Sequence, residues 1–84
     1  MTSDAFKAAV EELEKLTHKP SAADSMDLYG LYQQATIGDN ETEMPSLDIK
    51  GRYNWDAWNN LNGMTPIEAE IMYITLVNKL KKGQ

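Results

Sequence analysis

Apolar residues recur at three- and four-residue spacing in four stretches of the chain, each bracketed by residues that start or stop helices. The first stretch runs from about Ser3 to Leu16, with Ser3 as cap, Asp4 in the first turn, and Phe6, Ala9, Val10, Leu13 and Leu16 on one face. Pro20 blocks its continuation. The second runs from about Ser21 to Ile37, opened by Ser21 and Asp24 and closed by Gly38, with Leu28, Leu31, Tyr32 and Ala35 as its stripe. The third is shorter, about Gly51 to Asn62, with Trp55, Trp58 and Leu61 before Gly63. The fourth has the clearest start: Thr65 as cap, Pro66 at the first helical position and Glu68 three residues after the cap. It extends to about Lys81, with Ile67, Ile71, Ile74 and Val77 on one side and Ala69, Tyr73, Leu76 and Leu80 beside them. That wide arc predicts contact with several other helices.

The connections predict the architecture. Short links join the first helix to the second and the third to the fourth, so each pair is expected to form an antiparallel hairpin. The polar stretch Gly38–Lys50, with Pro45 inside it, is long enough to cross the bundle and let the second and third helices run parallel. Residues 1–84 are read as one all-α domain, a four-helix bundle.

Composition narrows the chemistry. The chain has 84 residues, no Cys, one His and a net charge of −5. Residues 1–48 carry −7 and residues 49–84 carry +2, so most of the surface repels a nucleic-acid backbone, while a small anion needs only a local basic pocket. No apolar run is long enough for a membrane span, and no stable membrane insertion is expected. The MTSDAFKAAV start lacks a signal-peptide core, which predicts a cytoplasmic protein. A monomer is expected, since the pattern leaves no spare apolar stripe.

Catalysis is the weaker reading. A nucleophilic triad would have to use His18, which lies in the polar THKP link. One imidazole and no thiolate make a poor zinc site, and Glu11, Glu12 and Glu14 lack the glycine and spacing of a calcium loop. No cofactor is implied. Tyr29 and Tyr32 share a helix face, and Tyr73 lies in the apolar arc of the fourth helix. Two readings stay open for them: rings packed in the core with hydroxyls at its rim, or a platform for a planar ligand with hydroxyls offered to phosphate.

The stretch LYGLYQQATIGDNETEMPSLDIKGRYNWDAWNNLNGMT resembles the central signature of the acyl-CoA-binding protein family, which reads like Y-x-x-Y-K-Q-A-T-x-G-D, then a loop with proline, then K-x-K-W-D-A-W. The matching residues include Tyr29, Tyr32, Gln34, Ala35, Thr36, Gly38, Asp39, Pro45, Lys50, Gly51, Trp55, Asp56, Ala57 and Trp58. The likeness extends to Phe6, Ala8 and Ala9, to Lys19-Pro20, and to Tyr73-Ile74. It implies a skewed four-helix bundle with a long connection between helices two and three. It also implies reversible, non-catalytic binding of medium- to long-chain acyl-CoA, the small-molecule partner of an intracellular carrier and buffer. Carried over, Tyr32 stacks on adenine, Tyr29 gives its hydroxyl to phosphate, Lys50 adds charge, and Tyr73 lies near the pantetheine and acyl region. Ala9, Pro20 and Met26 fall along the acyl groove.

Three departures stand out. Gln33 and Asn54 occupy positions where the family usually has phosphate-binding lysines, and Glu14 replaces a common basic residue. Exchanging two charge-assisted hydrogen bonds for neutral ones costs about 2–3 kcal/mol, roughly 30- to 150-fold in affinity. The resemblance with its departures predicts a carrier with weakened recognition of the CoA 3′-phosphate. The alternatives are an interaction module that kept the bundle and lost the ligand, or a lipid binder indifferent to the head group.

Overall fold

Four helices carry the fold in the computed structural model, which describes residues 2–84: α1 (Asp4–Glu14), α2 (Ala22–Thr36), α3 (Ile49–Asn59) and α4 (Pro66–Lys82). No strand occurs among the described residues. Three of the helices begin on capping side chains. Ser3 Oγ accepts from the Phe6 amide, Ser21 Oγ from the Asp24 amide, and Thr65 Oγ1 from the Glu68 amide, each at 3.1 Å. Glu68 completes a capping box by accepting from the Thr65 amide at 3.3 Å. Past α2, Gly38 turns the chain at φ +103°, a conformation that side chains with a Cβ rarely adopt.

The third helix differs from its expected span. It starts at Ile49, two residues before Gly51, because the Arg52 amide already bonds to the Asp48 carbonyl at 2.8 Å. It ends at Asn59, and the chain then tightens into successive turns through Asn62 and Gly63.

Topology follows from which ends meet. Asn40, just past α2, bonds to Asn62, just past α3, so these helices run in the same sense and the connection must return along α3 to start it. Ser3 bonds to Glu70, and Glu12 pairs with Lys81, so α1 runs parallel to α4. The side chain of Gln34 in α2 reaches the Met64 carbonyl before α4, which makes that pair antiparallel. The helices joined by short links therefore do reverse direction. They do not pack backbone to backbone as hairpins, since no Cα of α1 lies within 8 Å of α2, nor of α3 within 8 Å of α4. Instead α2 packs on α3 and α4, and α1 on α4. A short link fixes where two helix ends meet and leaves the angle free.

Gly30 makes the α2–α3 approach possible: a Cβ there would sit 2.7 Å from the Ala57 carbonyl oxygen. The buried core comes from α1, α2 and α4, namely Phe6, Ala9, Leu28, Leu31, Ala35, Ala69, Tyr73 and Val77. From α3 only Trp58 is buried, and its indole N–H donates to the Gly38 carbonyl at 2.8 Å.

The bundle is flat, 36 × 27 × 15 Å along its principal axes. This corrects the expected burial of α4. Ile67 and Ile71 keep 70% and 59% of their surface exposed, because the Ala69–Tyr73–Val77 stripe takes the contact with α1 and α2 and no further helix covers the other side. An apolar stripe is therefore left over, contrary to the sequence pattern.

Candidate functional site

A groove of about 380 Å³ opens where the end of α1, the α1–α2 link, α2 and α4 converge. Its walls are Leu13 and Glu14, Lys19 and Pro20, then Ser25, Leu28, Tyr29 and Tyr32, and Tyr73. Leu28 and Tyr73 are part of the core and form the floor. Tyr29 and Tyr32 stand above it, 38% and 42% exposed. These two rings are therefore not packed away in the core, whereas Tyr73, 3% exposed, is.

Tyr32 is exposed without being loose. Its ring lies 5.8 Å from Phe6 and 6.3 Å from Tyr73, and those two rings lie 4.9 Å apart, all in tilted contacts that favour aromatic pairs. One part of the ring is thus held by the core and the rest faces solvent. Tyr32 also borders a second hollow, shared with Phe6, Lys7, Val10 and Thr36, so a planar group has room beside it. Burial, then Tyr32 and Glu14 nearby, push the Tyr73 phenol above its ordinary 10.0, so it keeps its proton over the whole neutral range. Gln33 donates its amide to the Tyr29 hydroxyl at 3.1 Å, which leaves that hydroxyl's own proton free for another acceptor.

The groove's charges are mixed: Lys19 is its cation and Glu14 its anion. Lys15 is exposed and is not one of the wall residues. Of the residues singled out from the sequence, Tyr29, Tyr32, Tyr73 and Pro20 come together here, with Gln33 bonded to Tyr29. Lys50 is exposed in the first turn of α3 and Asn54 is half-buried one turn later, on the helix beside α2 rather than in the groove wall. Ala9 is 2% exposed and sits in the core, below any surface groove. Met26 is half-buried and outside the wall. Leu13 and Leu28 were legible only as core residues, and nothing in their spacing marks them as groove floor.

His18 lies apart, its amide bonded to the Gln84 side chain at 2.7 Å at the chain's far end. Among the described residues no group of three or more His, Asp or Glu is arranged to hold a metal ion. The groove offers a clamped ring, phenolic hydroxyls, one cation and an apolar floor, which suits binding an amphiphile with an aromatic or anionic head.

Comparison with known proteins identifies the family. The family model described as Acyl CoA binding protein matches residues 3–77. The acyl-CoA-binding protein of Saccharomyces cerevisiae is 43% identical over 81 residues, covering 95% of this chain and 93% of that one. The homolog from Drosophila melanogaster is also 43% identical, covering 95% and 94%. Among solved structures, acyl-CoA-binding protein 2 of Oryza sativa superposes with a TM-score of 0.89 at 38% identity, covering 95% of this chain and 90% of that one. The protein from Moniliophthora perniciosa reaches 0.91 at 30% identity, covering 99% and 83%. With a matching family model over nearly its whole length, relatives above 40% identity and the same bundle, the chain belongs to the acyl-CoA-binding protein family.

Proposed function

We propose that this protein binds medium- to long-chain acyl-CoA reversibly and carries or buffers it in the cytoplasm, without catalysis, as one domain over residues 1–84. The observation that supports this best is the groove itself, where an exposed Tyr32 backed by Phe6 and Tyr73 stands beside Tyr29 over an apolar floor. In this reading Tyr32 stacks on adenine, a contact worth about 1–3 kcal/mol per base. Tyr29, its hydroxyl accepting from Gln33 and keeping its own proton, donates to the 3′-phosphate, with Lys19 and Lys50 adding charge. The acyl chain lies along Leu13, Pro20 and Leu28 past Tyr73 and contributes about 0.8 kcal/mol for each CH₂ it buries.

The head-group end is weaker than the family pattern. Gln33 is uncharged and already gives one amide proton to Tyr29, and Glu14 places a carboxylate on the groove wall, where a polyanion has to approach. Affinity is therefore expected below that of relatives with lysines at positions 33 and 54.

Thermal unfolding with three ligands tests this reading. Palmitoyl-CoA is expected to raise the Tm, CoA and palmitate alone to raise it much less, since both ends contribute. No shift with any of them contradicts the proposal, and a shift with palmitate equal to that with its thioester contradicts the role given to the tyrosines.

A further inference from the structure

A larger hollow of about 420 Å³ lies elsewhere on the bundle and shares no wall residue with the tyrosine groove. Its apolar lining is Leu31 from α2, Ala57 from α3, Leu61 just beyond it, and Met72 and Leu76 from α4. Helical geometry separates the two sites: Leu28, Tyr29 and Tyr32 lie on one side of α2, Asp27 and Leu31 on another. Position 31 is buried in the core, yet the hollow beside it is lined with aliphatic side chains from α2, α4 and the α3 end that no other element among the described residues covers.

The rim carries one charge of each sign. Asp27 on α2 and Lys79 on α4 both border the hollow, both are exposed, and neither forms an ion pair with another described residue. A carboxylate alone would gain from Lys79 and be repelled by Asp27, and a multiply charged anion such as CoA would fare worse. A head that holds a cation and an anion together satisfies both.

We propose that this hollow is a second ligand site, for a single-chain amphiphile with a zwitterionic head. Its alkyl chain lies against Leu31, Leu61, Met72 and Leu76, its cationic group faces Asp27 and its anionic group faces Lys79. The volume and the apolar walls with few polar groups are those of small-molecule sites, typically about 300–1,000 Å³. The inference stands apart from the acyl-CoA reading, since it uses none of the same residues.

Amide chemical shifts of the full chain, followed during titration below each probe's micelle-forming range, test it. The probes are dodecylphosphocholine and lauroylcarnitine, which separate a phosphate from a carboxylate as the anionic group, with dodecanoate and dodecyltrimethylammonium as single-charge counterparts. One-to-one saturation is expected with at least one zwitterion, with shifts centred on Leu31, Leu61 and Leu76. Each single-charge probe is expected to bind about two- to fivefold more weakly, the scale of an exposed charge pair. Asp27→Asn should move the preference towards dodecanoate, and Lys79→Gln towards the trimethylammonium probe; both are surface changes that leave the core intact. Shifts centred on Tyr29 and Tyr73 instead, absence of saturation, or equal affinity for all probes in both variants would overturn the proposal. Palmitoyl-CoA, by contrast, is expected to shift amides around the tyrosines, and its failure to bind bears only on the earlier reading.

Discussion

The middle and the end of one helix treat their polar groups in opposite ways. In the middle of α2, Tyr29 and Tyr32 stay 38% and 42% exposed, and the Tyr29 hydroxyl keeps a proton to give away. One turn later Gln34 is fully buried, and its amide donates to Asp39 Oδ1 and to the Met64 carbonyl, both at 2.8 Å. Asp39 also accepts from the Gly63 amide at 2.8 Å, Asn40 donates its amide to Asn62, and the Trp58 indole holds the Gly38 carbonyl. This knot ties the end of α2 to the turn between α3 and α4, two helices that make no close backbone approach to each other. All these α2-side residues belong to one contiguous signature, but the two tyrosines are left exposed while Gln34, Gly38 and Asp39 are consumed by the fold.

The largest way to break that division is at the knot. Gln34→Ala removes two donors from a fully buried position and opens a cavity, and is expected to cost about 2–4 kcal/mol in denaturant unfolding. Because the Gln34 side-chain oxygen accepts no hydrogen bond from the described residues, the loss should fall short of that for a fully satisfied amide. The folded fraction should still bind palmitoyl-CoA within about twofold of wild type, since position 34 does not border the groove. A stable variant with lost affinity would reverse the assignment.

Acid probes the same knot. The Gly63 amide and then the Gln34 side chain hold the Asp39 carboxyl below its ordinary 3.8. Two donors from Ser3 likewise hold Glu70 below its ordinary 4.5, at the α1–α4 junction. A carboxylate depressed in the folded state adds stability that is fully present above its unfolded value and lost as pH falls through the folded one. Unfolding free energy should therefore decline below about pH 4.5, and Asp39→Asn should flatten that acid limb. An unchanged limb in the variant would mean that the proton goes elsewhere.

At the groove the expected effects are on affinity. Gln33→Lys with Asn54→Lys should tighten palmitoyl-CoA binding by up to about 30- to 150-fold, less if both lysines meet one phosphate, while stability moves by under about 0.5 kcal/mol. No gain from the double variant would sink the account of weakened head-group recognition. Glu14→Gln is the smallest change, about two- to fivefold tighter at low salt and fading as salt screens the groove.

Much of this was legible in the sequence because it is local. The Thr65-Pro66-Glu68 start, the Ser3 and Ser21 caps and the stop at Gly38 each act over a few residues. The three tyrosines were legible as a set through the family signature, while periodicity alone could not say whether their rings were covered. Other features depend on partners distant in the chain. Gln34 finds Met64 thirty residues away, and nothing in its neighbours foretells that. Ile67 and Ile71 keep the helical spacing of a core face, but whether a fifth surface exists to cover them is a property of the bundle's thickness. The hollow with one charge of each sign at its rim likewise needs Asp27 and Lys79 from different helices, and neither has a marked sequence context.

The separation of ligand face from fold face is tested most directly by Tyr32→Ala, with palmitoyl-CoA calorimetry and thermal unfolding measured on the same preparation at two salt concentrations. The account predicts one-to-one, salt-sensitive binding by the wild type. It predicts a loss of about 1–3 kcal/mol in the variant, roughly 5- to 150-fold, with a Tm drop of no more than about 8 °C from the lost ring contacts with Phe6 and Tyr73. Unaltered affinity together with a collapsed Tm would contradict it, and would make Tyr32 a packing residue.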